Sequence, residues 1–186
     1  MPNLCHRRKE IIVAGQKLKD SVAEHRKKSA INAGVAVLTL STSRALEADR
    51  SGDVIQCQLE EGGHEVRVRK VLPDNRNILR ATLREVVRNK KVDAIITTGG
   101  TGLAPTDVTI EAVRDMLDKE LPGFNALFMH LSYSQVKSAC MLSRALAGTI
   151  KGKIIFCLPG SPRACKLAME SLILPELGHI LMLLRS

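Results

Sequence analysis

Apolar positions along this chain alternate between two rhythms. Val35 to Leu40 is a continuous apolar run broken only by Thr39, preceded by Gly34 and followed by the polar turn Ser41-Thr42-Ser43-Arg44, which predicts a strand covered on both faces. From Ser51, helical spacing puts Val54, Ile55 and Leu59 on one side until Gly62-Gly63, and His64 to Val71 then alternates as a half-exposed strand does. Pro73-Asp74 opens a second helix with Ile78, Leu79, Leu83, Val86 and Val87 at helical spacing, and Val92 to Thr98 reads as the next strand. A third helix is expected from about Thr109 to Lys119, with Glu111 in its first turn and Lys119 in its last, the charge order a helix dipole favours.

Residues 138–150 stay open. Met141, Leu142 and Ala145 fit a helix, whereas Ala145 to Ile150 could pair with Lys153 to Leu158 in a hairpin across Lys151-Gly152. Beyond that strand, Ser161 as cap and Pro162 as first residue start a last helix that Pro175 bends or splits. Strands alternating with helices predict an α/β fold, a parallel sheet with helices on both faces.

A length of 186 residues at 45% hydrophobic content suits one core, expected over residues 33–186. The net charge of +9 changes the picture less than it suggests, because much of the excess sits at residues 1–32, in Arg7, Arg8, Lys9, Lys17, Lys19, Arg26, Lys27 and Lys28. That basic arm reads either as an electrostatic contact to a polyanion or as a solvated extension, partly disordered or helical. Aromatics are 2% of the chain and Trp is absent, so a base-stacking platform lacks material and nucleic acid is not the expected partner. Five cysteines with no Cys-x-x-Cys pair argue against zinc and for a reducing, cytoplasmic setting. No segment reads as approaching the roughly 20 apolar residues of a membrane span.

The candidate chemistry begins at Gly99-Gly100-Thr101-Gly102, where a buried strand runs into a turn of three glycines in four residues. Missing β-carbons let backbone N–H groups approach a phosphate, and a helix start beyond them would add unpaired N–H groups and a positive dipole end. The same four residues could also be no more than a tight turn, since the Lys-Ser/Thr of a P-loop is absent. In parallel sheets ligands collect at the carboxyl ends of the strands. Four polar turns fall there: Ser41 to Arg44, Pro73-Asp74, Gly99 to Asp107, and Pro159 to Pro162. Asp74 and Asp107 read either as helix caps or as ligands of Mg²⁺ on nucleotide phosphates. The five histidines are scattered and suggest no catalytic cluster.

Beyond these patterns, TTGGTG at 97–102, APTDVT at 104–109, Glu120-Leu121-Pro122-Gly123-Phe124, MLSRALAG at 141–148 and LPGSP at 158–162 resemble the MoaB/Mog family of molybdenum cofactor biosynthesis proteins, most closely its MoaB branch. The resemblance implies a three-layer αβα fold with a mostly parallel central sheet, assembly into trimers or hexamers, and a molybdopterin pocket at the strand ends. It implies transfer of AMP from Mg-ATP to the terminal phosphate of molybdopterin with release of pyrophosphate. The alternative is a protein that binds molybdopterin or its precursor without turnover. The family's two catalytic aspartates fall on Asp74 and Asp107, expected to hold Mg²⁺ and the triphosphate. Gly99, Gly100, Thr101 and Gly102 are expected to cradle phosphate, with Ser41, Ser43, Gly160, Ser161 and Pro162 contacting ligand.

Overall fold

The computed structural model describes residues 31–41 and 48–186, so residues 1–30 of the basic arm and Ser43 lie outside the described residues. Six strands, β1 (Gly34–Leu40), β2 (Glu65–Leu72), β3 (Ala94–Thr98), β4 (Lys119–Glu120), β5 (Leu146–Ile150) and β6 (Lys153–Leu158), form one sheet in the order β2-β1-β3-β6-β5-β4. The strands β2, β1, β3 and β6 are parallel, and β5 runs antiparallel to both β6 and β4.

Every residue of β1 and β3 is buried, which is why their sequences show no alternation. The hidden alternation is between two cores. Val35, Val37 and Ile96 point toward α1 (Arg50–Glu61), α4 (Pro122–Val136) and the C-terminal helices, meeting Ile55, Leu59, Phe128 and Leu177. Ala36, Leu38 and Ile95 meet Leu79 and Leu83 of α2 (Arg76–Arg88) and Ile110 and Val113 of α3 (Thr109–Arg114) on the other face. Three layers result. All three phenylalanines lie in the first core, Phe124 with ring centroids 6.3 Å from Phe128 and 5.2 Å from Phe156.

The open segment is a hairpin: Ile150 pairs with Lys153 across Lys151 (φ 46) and Gly152 (φ 75). Two left-handed residues in a two-residue turn match the right-handed twist of the flanking strands. Before it, Lys137–Leu142 forms a short 3₁₀ helix.

Several expectations are corrected. The third helix ends at Arg114, and Lys119 belongs to β4. Helix α4 was not expected; it buries Phe124, Phe128 and Ser132 but leaves Leu127, Tyr133 and Val136 exposed. The C-terminal run continues through α5 (Pro162–Ala168), a π turn at Met169–Ile173 and α6 (Leu174–Arg185). Pro175, which has no N–H to donate, follows that π turn, where Leu174 donates to Met169 O. Pro175 therefore coincides with a shift of register and does not split the run. Contrary to the expectation, this run of 24 residues is long and apolar enough to cross a membrane by length and composition. Here its stripe of Cys165, Met169, Ile173, Leu177 and Leu181 packs in the core.

Candidate functional site

The chain leaves β1 to pair β2 on one side and returns in β3 on the other. Such a reversal leaves a crevice at the carboxyl ends of the two strands. The turn that closes β3 requires glycine. Gly99 and Gly100 have φ of 92° and 62°, and a β-carbon on Gly99 would stand 2.3 Å from Leu40 O. A β-carbon on Gly160, in the turn after β6, would stand 3.2 Å from Gly99 Cα. The ends of β1, β3 and β6 thus meet with no room for side chains.

Thr109, fully buried, pins this turn: its hydroxyl donates to Gly99 O at 2.8 Å and its N–H to Gly100 O at 2.9 Å. Helix α3 begins at Thr109, where its start was expected, and its first N–H is spent on Gly100 O. Thr101 is 3% exposed, which leaves the half-buried Gly100 and Gly102 as the open part of the turn.

Neither aspartate caps a helix, which corrects that reading of both. Asn75 is the cap of α2, accepting from the Asn77 and Ile78 N–H groups at 2.9 and 3.1 Å. The residue at the cap position of α3 is Val108, with no side-chain capping bond. Asp74 Oδ1 instead stands 3.2 Å from the place of a β-carbon on Gly100, and Asp107 Oδ2 stands 2.7 Å from that of Gly102. Asp107 also braces its own loop, accepting the Ala104 N–H at 2.9 Å and donating its N–H to Ala104 O at 2.9 Å. Both carboxylates therefore lean on one glycine turn from residues 33 positions apart, half-buried in each case.

The other turns also gather here. The Ser41 N–H donates to Leu72 O at 2.8 Å, tying the ends of β1 and β2. Ser161 holds a cap conformation, but its exposed hydroxyl makes no capping bond. The neighbouring Gly160 O accepts the Ser51 hydroxyl at 2.9 Å, and Pro162 opens α5. Two clefts border this ground. One of about 300 Å³ is lined by Arg76, Gly102, Leu103, Asp107, Glu111 and Arg144. The other, about 290 Å³ and more apolar, lies between α4 and α5 and is lined by Phe128, Val136, Cys140, Pro159, Ser161 and Arg163 among others.

Arg144 and Glu111 had not been singled out as site residues. The Arg144 guanidinium beside Glu111 holds that carboxyl below its usual range. Arg80 and Arg76 do the same for Asp115. Cys165 lies 3.3 Å from Pro159 O, and burial pushes its thiol up to about 11; burial pushes Cys157 up to about 12. Neither is a thiolate nucleophile at neutral pH. None of the described histidines, His64, His130 and His179, lines either cleft.

Residues 36–179 match the family model described as "Probable molybdopterin binding domain". The chain is 43% identical over 161 residues to a molybdenum cofactor biosynthesis protein B of Bacillus cereus, covering 86% of this chain and 95% of that protein. It is 42% identical over 157 residues to a probable molybdopterin adenylyltransferase of Methanocaldococcus jannaschii, covering 81% and 93%. A crystal structure of a molybdenum cofactor biosynthesis protein B superposes with a TM-score of 0.82 at 41% identity, covering 84% of this chain and 98% of that one.

Proposed function

This chain belongs to the molybdopterin-binding family of molybdenum cofactor biosynthesis proteins, and we propose that it adenylylates molybdopterin with Mg-ATP in the cytoplasm, releasing pyrophosphate. One observation carries the reading: the carboxylates of Asp74 and Asp107 both rest against the glycine turn at the strand ends. A relative of similar length carries the name of the same activity.

Two half-buried carboxylates fit Mg²⁺, which takes one or two of them and completes its coordination with waters and phosphate oxygens. Among the described residues no group of three or more His, Cys, Asp or Glu competes for that role. Mg²⁺ bound at Asp74 and Asp107 would neutralise charge on the transferred and departing phosphates. The backbone of Gly100 and Gly102 is open to phosphate oxygens, and the apolar cleft beside Ser161 has room for a ring.

An oxygen of the molybdopterin phosphate bonds to the α-phosphorus of ATP. The bond from that phosphorus to the α,β-bridging oxygen breaks, and pyrophosphate leaves with the electron pair. A phosphate monoester is largely a dianion at pH 7, its second pKa being about 6, so the nucleophile needs no general base. That accounts for two clefts lined by no described histidine: the residues present align phosphates and balance charge, which is what such a transfer needs.

Self-association as a trimer or hexamer is part of the proposal, supported by an apolar surface at the end of α4 that is exposed among the described residues. There Tyr133, Val136, Met141 and Leu142 are 57%, 52%, 74% and 60% exposed.

The test is incubation of the purified protein with molybdopterin, Mg²⁺ and α-³²P-labelled ATP. Label recovered on the pterin with equimolar pyrophosphate supports the enzyme. Pterin bound without transfer, under conditions in which a competent relative turns over, selects the binding protein instead.

A further inference from the structure

The loop from Thr101 to Asp107 has no regular structure, yet it must hold a carboxylate in place. The geometry points to Arg144 as the positioning residue for Asp107, an inference that rests on the reading of this crevice as the transfer site. Arg144 lies at the entry to β5, and its Nε donates to Thr101 O at 3.0 Å and its Nη2 to Gly102 O at 2.8 Å. The same guanidinium pairs with Glu111 of α3, through Nη1 to Oε1 and Nη2 to Oε2. One planar fork thus ties the glycine turn, α3 and β5 together.

The next contact reaches the carboxylate. Asp107 Oδ2 stands 2.7 Å from the β-carbon position of Gly102 and accepts the Ala104 N–H. Wherever residues 102 to 104 go, this oxygen must follow, and the carbonyls of 101 and 102 go where Arg144 holds them. Arg144 lines the cleft beside Asp107, but its donors face carbonyls and Glu111, which also cancels its charge. Its part is to hold the loop rather than to bind phosphate. Lysine cannot reproduce this, because an ammonium lacks the rigid fork that reaches two carbonyls and a carboxylate together.

The experiment compares wild type, Arg144→Lys, Glu111→Gln, Asp107→Asn and the double variant Arg144→Lys/Asp107→Asn, each as the full chain and each first checked for folding by melting. Two readouts are taken: AMP transfer against Mg²⁺ concentration, and Mn²⁺ affinity by electron paramagnetic resonance in the presence of a non-hydrolysable ATP analogue. Arg144→Lys is expected to lower kcat and to weaken metal affinity about tenfold, with Glu111→Gln moving both in the same direction. Asp107→Asn should add little in the Arg144→Lys background, because both changes remove one function. Additive losses, or an unchanged metal response in a folded Arg144→Lys protein, overturn the proposal. If Arg144→Lys does not fold, Glu111→Gln decides by the same metal readout. If wild type binds Mn²⁺ but transfers no AMP, the enzymatic reading fails while the metal affinities still judge Arg144. If wild type binds no metal, both fall.

Discussion

Asp107 leans on Gly102: its Oδ2 lies 2.7 Å from the point where a β-carbon on that glycine would stand. Gly102 is not among the glycines with positive φ, so its backbone would accept alanine without strain. What alanine would disturb is the carboxylate. The glycine is there for Asp107 as much as for a phosphate.

Gly102→Ala must therefore displace Asp107 or the loop that carries it. Overpacking of this kind costs about 1–3 kcal/mol. Where the strain is relieved by moving Asp107, AMP transfer should fall roughly ten- to a hundredfold with little change in melting temperature. Steady-state kinetics and a thermal melt on the same preparation check this. Transfer at the wild-type rate would mean that the position of Asp107 does not limit the reaction.

Asp107→Asn and Asp74→Asn separate charge from shape. Asparagine at 107 keeps an oxygen for the Ala104 N–H, and neither aspartate caps a helix, so both variants should fold. Each removes one negative charge from a proposed Mg²⁺ site, and AMP transfer should fall roughly a hundredfold or more. Pterin binding, followed by fluorescence, should persist in both. A variant that melts as wild type and transfers AMP as wild type would remove that aspartate from the transfer reaction.

These contacts explain what could be read from the chain in advance. The central strands were legible because burial on both faces demands unbroken apolar runs, as in Val35 to Leu40. The turn glycines and both aspartates were legible as a local motif, but their duties were not. Asp74 and Asn75 are adjacent and equally good caps by type, and only the backbone shows that Asn75 does the capping. Helix α4 was illegible because Leu127, Tyr133 and Val136 blur any amphipathic rhythm. Arg144 stood inside the MLSRALAG segment, but its role was illegible there, since the carbonyls it holds lie 43 and 42 residues away.

His64 makes stability depend on pH. Its Nδ1 accepts the Ala33 N–H at 3.2 Å at the start of β2, so that nitrogen is unprotonated, and burial lowers its pKa below the ordinary value of 6.5. A histidine with a lowered folded pKa binds fewer protons folded than unfolded. Its contribution is full above pH 6.5 and is lost as the pH falls from there through the lowered folded value. The loss should reach at most about 1 kcal/mol, the worth of one hydrogen bond to a ring partly in water. Urea midpoints at pH 7.5 and pH 5 should differ less in His64→Gln than in wild type. Equal differences would remove His64 from the account.

The exposed end of α4 supplies the last prediction. Val136, Met141 and Leu142 are each more than half exposed on neighbouring turns, with Tyr133 beside them and Lys137 5.6 Å from its ring centroid. A second copy could bury this surface, whereas an aspartate placed in it would have to be buried without a partner, at a cost of several kcal/mol. Sedimentation equilibrium should give wild type as three or six times 20.3 kDa, and Val136→Asp should shift the population toward the single chain. Because Val136 also lines the apolar cleft beside Ser161, Met141→Asp, outside that lining, separates assembly from ligand binding. Loss of assembly in both variants assigns the surface to self-association. Wild-type mass in both would move the interface elsewhere on the molecule.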